Sequence, residues 1–125
     1  MKVLITGGAG FIGGALIRKL LLTTNYKLFN LDKLSYASDL VSIKNISSSR
    51  DKERYEFLKI DLNDFDKTKE AIEYAKPDKI IHLAAESHVD RSINAPQNFI
   101  ESNIIGTFNL LECAKEHFLK LEIER

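Results

Sequence analysis

An α/β fold with a parallel sheet is predicted by three observations. Four short apolar runs alternate with stretches of helical periodicity, glycines crowd directly behind the first run, and an aspartate closes the second. The order is strand, helix, strand, excursion, strand, helix, strand, helix. Such alternation argues for helices on both faces of the sheet. Four strands give the order 3-2-1-4, an incomplete doubly wound sheet, since the full pattern runs 3-2-1-4-5-6.

Lys2 to Ile5 is a compact apolar run bounded by glycine, hence a buried strand. From Phe11 to Leu22 the spacing of Ile12, Leu16, Ile17, Leu20 and Leu21 is helical, and Thr23, Thr24 and Asn25 stop it. Lys27 to Leu31 forms the second strand and ends in Asp32. Lys33 to Arg54 is polar and Ser-rich, mostly loop, with a short helical possibility from Asp39 to Ile46. Tyr55 to Ile60 is the third strand. Asn63 or Asp64 can cap a helix running to Tyr74 and Ala75, and Pro77 prevents its continuation. Lys79 to Ala84 is apolar enough to be a fourth strand buried on both faces. One long helix fits Pro96 to Leu119, with Phe99, Ile104, Phe108, Leu111, Cys113, Ala114 and Phe118 as its apolar positions.

The chain has 125 residues, 44% of them apolar, which suits one small domain with a real core. Lys+Arg and Asp+Glu both number 18, so the formal net charge is zero, and charge gives no reason to expect nucleic acid or an anionic membrane as partner. The lone Cys113 rules out an internal disulfide and fits a reducing compartment. No apolar run approaches the roughly 20 residues of a membrane span, and nothing reads as a signal peptide. A soluble, cytoplasmic protein is expected.

Gly8-Ala9-Gly10-Phe11-Ile12-Gly13 has the spacing G-x-G-x-x-G between a predicted strand and a predicted helix; Gly7, Gly10 and Gly13 give an overlapping G-x-x-G-x-x-G. In a Rossmann-type fold one glycine permits the tight turn, one lets the backbone approach a pyrophosphate, and one lets the helix pack on the sheet. The helix N-terminus then offers N–H groups and a positive dipole end to phosphates. Asp32, about 20 residues on, can accept hydrogen bonds from ribose hydroxyls and disfavours a 2′-phosphate, which points to NAD, although Lys33 stands beside it. The bland alternative is a glycine-rich turn beside a solvated aspartate.

His82-Leu83-Ala84-Ala85-Glu86-Ser87-His88-Val89-Asp90-Arg91-Ser92-Ile93 follows the fourth strand. Together with Thr6 to Gly13, Leu31 to Ala37 and Asn98 to Thr107, it resembles the dTDP-glucose 4,6-dehydratase family of extended short-chain dehydrogenases/reductases. The likeness covers essentially all 125 residues. It implies that Gly7, Gly10, Gly13 and the backbone of Phe11 and Ile12 hold the pyrophosphate of NAD. Asp32, Lys33, Leu34 and Ser35 would surround the adenosine ribose, and Asp61 and Leu62 would meet the adenine. Leu83, Ala84, Ala85, Glu86 and Ser87 would line the nicotinamide half, with Ser87 also near the sugar. Ser102 stands where the family usually has threonine, Gly14 replaces a serine and Leu62 an isoleucine. On the residues alone, Asp61 could instead be a capping acid, and Ala84 and Ala85 could reflect close packing. His82 is expected in the core, His88 to touch substrate or shape its loop, and Cys113 to be a small core residue. No metal-ligand spacing occurs.

In the family the sugar is oxidised at C4 by NAD, loses water across C5 and C6, and receives the hydride at C6. That chemistry uses a tyrosine with a lysine four residues later on a helix, and an Asp-Glu pair after a threonine. Here Tyr55 and Lys59 are the one Tyr-x-x-x-Lys, in a predicted strand, which separates their Cα atoms by about 13 Å; on a helix they would be about 6 Å apart. No threonine precedes Asp-Glu. The resemblance therefore implies the N-terminal, NAD-binding portion of a dehydratase of dTDP-glucose, truncated, with no catalytic residue assigned and inactive alone. A homodimer or a complementing C-terminal chain would be its partner. Strand four, as an exposed edge, is a predicted aggregation site. The alternatives are a non-catalytic or vestigial NAD-binding fragment and part of a nucleotide-sugar epimerase.

Overall fold

The computed structural model describes residues 1–35 and 49–124. It contains four strands, β1 (Lys2–Thr6), β2 (Lys27–Asp32), β3 (Tyr55–Lys59) and β4 (Lys79–His82). Its helices are α1 (Phe11–Thr23), α2 (Ser49–Arg54), α3 (Phe65–Ala75), α4 (Val89–Asn94), α5 (Pro96–Phe99) and α6 (Gly106–Ile123), with a π-helical stretch, Ile100–Ile105, between the last two. The expected helix at Asp39 to Ile46 lies outside the described residues. The chain forms two compact units, Met1–Lys59 with Pro77–Ala84, and Ile60–Lys76 with Ala85–Arg125.

The first unit holds the sheet, which is parallel in the order β3-β2-β1-β4, as the sequence predicts. Val3 to Thr6 and Leu28 to Asp32 are consecutively buried, the signature of strands covered on both faces. Val3, Ile5 and Leu28 join Ile17 and Leu21 of α1 in one core cluster. The hydroxyls of Thr23 and Thr24 donate to the carbonyls of Lys19 and Leu20, so the threonines that end α1 also satisfy its last turn.

Two expectations for this unit are corrected. Part of the polar stretch read as loop is the helix α2. Its Arg54 donates to the carbonyls of Leu21, Thr24 and Tyr26 and pairs with Asp51 at 2.6 Å, tying α2 to the end of α1. The fourth strand is shorter than predicted, ends at His82 and is only half-buried, because it pairs with β1 alone at the sheet edge.

In the second unit α3 packs on α6. Asp64, an expected cap, accepts a hydrogen bond from Lys67 N–H at the start of α3. Lys76, left-handed at φ 45°, and Pro77 end that helix. The long helix predicted from Pro96 to Leu119 is a continuous helical run from Pro96 to Ile123 with the π-helical stretch inside it, and the added α4 precedes it. Its packed face also differs: Gly106, Asn109, Leu110, Cys113 and His117 are buried, whereas Ile104, Phe108 and Leu111 are 61%, 59% and 62% exposed. Apolar periodicity marks α6 on two sides, and only one of them is packed among the described residues.

Candidate functional site

The turn after β1 is shaped by glycine. Gly7 has φ +72°, and a Cβ there would stand 2.6 Å from the Ala84 nitrogen. At Gly13 a Cβ would collide with the Gly7 carbonyl, which lets α1 start close to the strand. Gly10 differs. It is the N-cap of α1 in an extended conformation that any residue adopts, and the one near neighbour of its Cβ would be Gly7 O at 3.3 Å. Neither a side-chain cap nor an acid occupies the first turn of α1. Phe11 and Ile12, its first residues, are 94% and 68% exposed. The positive end of α1 therefore opens beside a residue where a Cβ would press on a single backbone oxygen, a cradle that fits a phosphate group.

Asp32 borders this turn. Its buried carboxylate accepts from Ala9 N–H at 3.0 Å and from Leu34 N–H at 2.8 Å. The second bond accompanies a left-handed Leu34, φ 57°. Lys33, Leu34 and Ser35 are half-buried around it.

On the other side of β1, Thr6 organises the end of β4. Its Oγ1 accepts from Leu83 N–H and Ala84 N–H, both at 3.2 Å, and lies 2.6 Å from His82 Nδ1. Leu83 N–H is shared with the Thr6 carbonyl at 3.1 Å. Burial pushes the His82 pKa below the ordinary histidine value. Gly7, Gly10, Gly13, Asp32, Leu83 and Ala84 are thus all held in the first unit.

The remaining predicted residues belong to the second unit. Asp61 is exposed and accepts from Asn63 N–H at 2.9 Å, which makes it a turn former while Asp64 does the capping. Leu62 is buried, and its carbonyl accepts from Asn109 Nδ2 at 2.9 Å. Ala85 and Ser87 are exposed, and Glu86 and Ser102 half-buried. Glu86 makes two backbone bonds to one amide: its N–H donates to Asn103 Oδ1 at 2.7 Å, and its carbonyl accepts from Asn103 Nδ2 at 2.9 Å.

Sequence reasoning missed Thr6, Asn103 and Asn109. The signal available for the asparagines was a polar residue at every third position, around Gly106, on a helix otherwise read for apolar periodicity. Tyr55 and Lys59 both lie on β3, as predicted. Tyr55 OH accepts from Asn30 Nδ2 at 3.0 Å, and burial raises its pKa, the reverse of what a proton acceptor at neutral pH requires.

The profile of the GDP-mannose 4,6 dehydratase family matches residues 4–124. Among curated proteins, the dTDP-glucose 4,6-dehydratase of Salmonella typhimurium is 49% identical over 97% of this chain and 33% of its own length. Among solved structures, the NAD complex of dTDP-glucose 4,6-dehydratase from Bacillus anthracis has a TM-score of 0.79 and 32% identity, covering 94% of this chain and 34% of that one. The UDP-Glc/GlcNAc 4-epimerase of Campylobacter jejuni has a TM-score of 0.81 and 34% identity, over 93% and 34%. The chain spans about a third of the length of the curated relatives it matches.

Proposed function

The chain belongs to the GDP-mannose 4,6 dehydratase family, and on that premise we propose that it is the NAD-binding part of a cytoplasmic dTDP-glucose 4,6-dehydratase. The observation that carries the NAD reading is the Asp32 carboxylate bound to Ala9 N–H beside the uncapped start of α1. Gly7, Gly10 and Gly13 would give the pyrophosphate its room, and the N–H groups of Phe11 and Ile12 would meet it. Asp32 would accept from the ribose hydroxyls, with Lys33, Leu34 and Ser35 around them. By resemblance, Asp61 and Leu62 would serve the adenine, Leu83 to Ser87 and Ser102 the nicotinamide half, and Ser87 the sugar.

Bound NAD supplies a hydride acceptor for the sugar. What this chain contributes is binding and orientation. It has no helical Tyr-x-x-x-Lys to take the sugar's hydroxyl proton, since Tyr55 and Lys59 are on β3. We therefore expect no turnover from these residues alone. The apolar outward side of α6 suits a second copy or the remainder of such an enzyme.

The identity to dehydratases favours dTDP-glucose as substrate. The 4-epimerase likeness, with its TM-score of 0.81, supports a nucleotide-sugar epimerase as the second reading. Replacing the corresponding third of the Salmonella dehydratase by this chain tests the choice. A product lighter by one water than dTDP-glucose is expected. Activity only in the equivalent epimerase chimera, with product mass unchanged, would favour the epimerase.

A further inference from the structure

We infer that Asn30 is a positioning residue of the dinucleotide turn: its amide, aimed by the Tyr55 hydroxyl, takes the space of the side chain that Gly8 lacks and fixes where that glycine sits. The inference rests on the NAD reading above and gives roles to Gly8, Asn30 and Tyr55, which that reading leaves without one.

Three consecutive residues of the turn rest on the end of β2. Gly7 N–H donates to Leu31 O at 2.9 Å, and Ala9 N–H donates to Asp32 Oδ2 at 3.0 Å. Between them Gly8 faces Asn30. A Cβ at Gly8 would collide with Asn30 Oδ1 and would stand 2.5 Å from both Asn30 Cγ and Ile17 Cδ1. Gly8 lies outside the left-handed region, so space and not backbone conformation calls for glycine there. Asn30 itself is fully buried. Its Nδ2 donates to the Tyr55 hydroxyl oxygen at 3.0 Å, which turns the oxygen side of the amide to Gly8. That Oδ1 is buried with no hydrogen-bond partner among the described residues. An unmet buried amide oxygen costs stability, so the fold alone would favour an apolar side chain of the same shape. Asn30 and Asp32 lie on one face of β2. The residue that seats Gly8 therefore stands one pleat before the acid that binds Ala9. Through Asn30, Tyr55 of β3 acts on a turn that follows β1, two strands away in the sheet.

NAD titration beside urea unfolding of the 125-residue chain tests this through combined substitutions. Gly8→Ala is expected to weaken NAD by about tenfold or more, because the new Cβ meets the Asn30 amide. In the Asn30→Ala background the methyl group takes the vacated space, and the same substitution should cost less than about twofold. Tyr55→Phe should weaken NAD by about threefold when Asn30 is present and leave it unchanged in the Asn30→Ala background. Asn30→Leu keeps the branched shape without the unmet oxygen, so its unfolding midpoint should be unchanged or raised while NAD weakens by about fivefold. A merely structural role gives the reverse: equal losses in both backgrounds, and an affinity in Asn30→Leu that follows stability. Either result overturns the inference. Where Gly8→Ala does not fold, a folded and NAD-binding Gly8→Ala/Asn30→Ala chain upholds it, and failure of that double variant to fold overturns it. If the unsubstituted chain binds no NAD, the NAD reading itself falls, an outcome distinct from all of these.

Discussion

The turn after β1 and the turn after β3 solve the same problem by different means. Both carry the chain from the end of a strand into a helix, and the resemblance gives both to one cofactor. The first is shaped from within: Gly7 supplies a left-handed φ of +72°, and no side chain caps α1. The second is shaped by side chains. Asp61 closes the turn, Asp64 caps α3, and Asn109 reaches in from a helix 46 to 47 positions away. A turn meant to receive phosphate keeps its helix N–H groups uncapped. A turn with no such duty spends its side chains on capping.

The contrast breaks most severely at Gly7. In Gly7→Val, left-handed strain adds to the 2.6 Å conflict with Ala84, and a loss of about 3 kcal/mol is expected in urea unfolding. Asp32→Asn keeps the shape and removes the charge. NAD affinity is expected to fall by about tenfold or more, the scale of a charge-assisted bond, with direct titration as the readout. In the other turn, Asp64→Ala removes the α3 cap and should cost about 1 kcal/mol in the same unfolding assay, leaving NAD affinity unchanged.

The smallest effect is a pH dependence at His82. Its folded pKa lies below the unfolded value of about 6.5. As pH falls, the unfolded chain takes up the proton first. The contribution is therefore complete above that pH and declines below it, by well under about 1.4 kcal/mol per pH unit. His82→Gln should flatten that part of the profile, followed by thermal unfolding between pH 7.5 and pH 5 (about the range in which histidine titrates).

The same contrast decides what the sequence discloses. The first turn is legible because glycine answers a local steric demand, so spacing alone predicts strand, turn, helix and the Asp32 that borders them. The sheet order is legible for a similar reason, since short apolar runs alternating with helices allow few arrangements. Asn103 and Asn109 are legible only as polar residues spaced three from Gly106, a mark that does not say which distant backbone each amide bonds. Ile104, Phe108 and Leu111 mislead in the opposite sense. Their spacing predicts a packed face, yet the described residues of α6 pack through Asn109, Leu110 and Cys113. Periodicity reports that a face is apolar and not what covers it.

Gly10 carries the account's central claim, that this one position of the first turn is kept bare for a dinucleotide, whereas Gly7 and Gly13 serve the fold. Its extended conformation suits a serine, which would cap α1 as Asp64 caps α3 once Gly7 O, 3.3 Å from the new Cβ, gives by a few tenths of an ångström. The most direct measurement sets NAD titration beside urea unfolding for the unsubstituted chain and Gly10→Ser. The account predicts saturable NAD binding that the substitution abolishes, with an unfolding midpoint unchanged or raised. Equal NAD binding by both chains, or none by the unsubstituted chain, would contradict it.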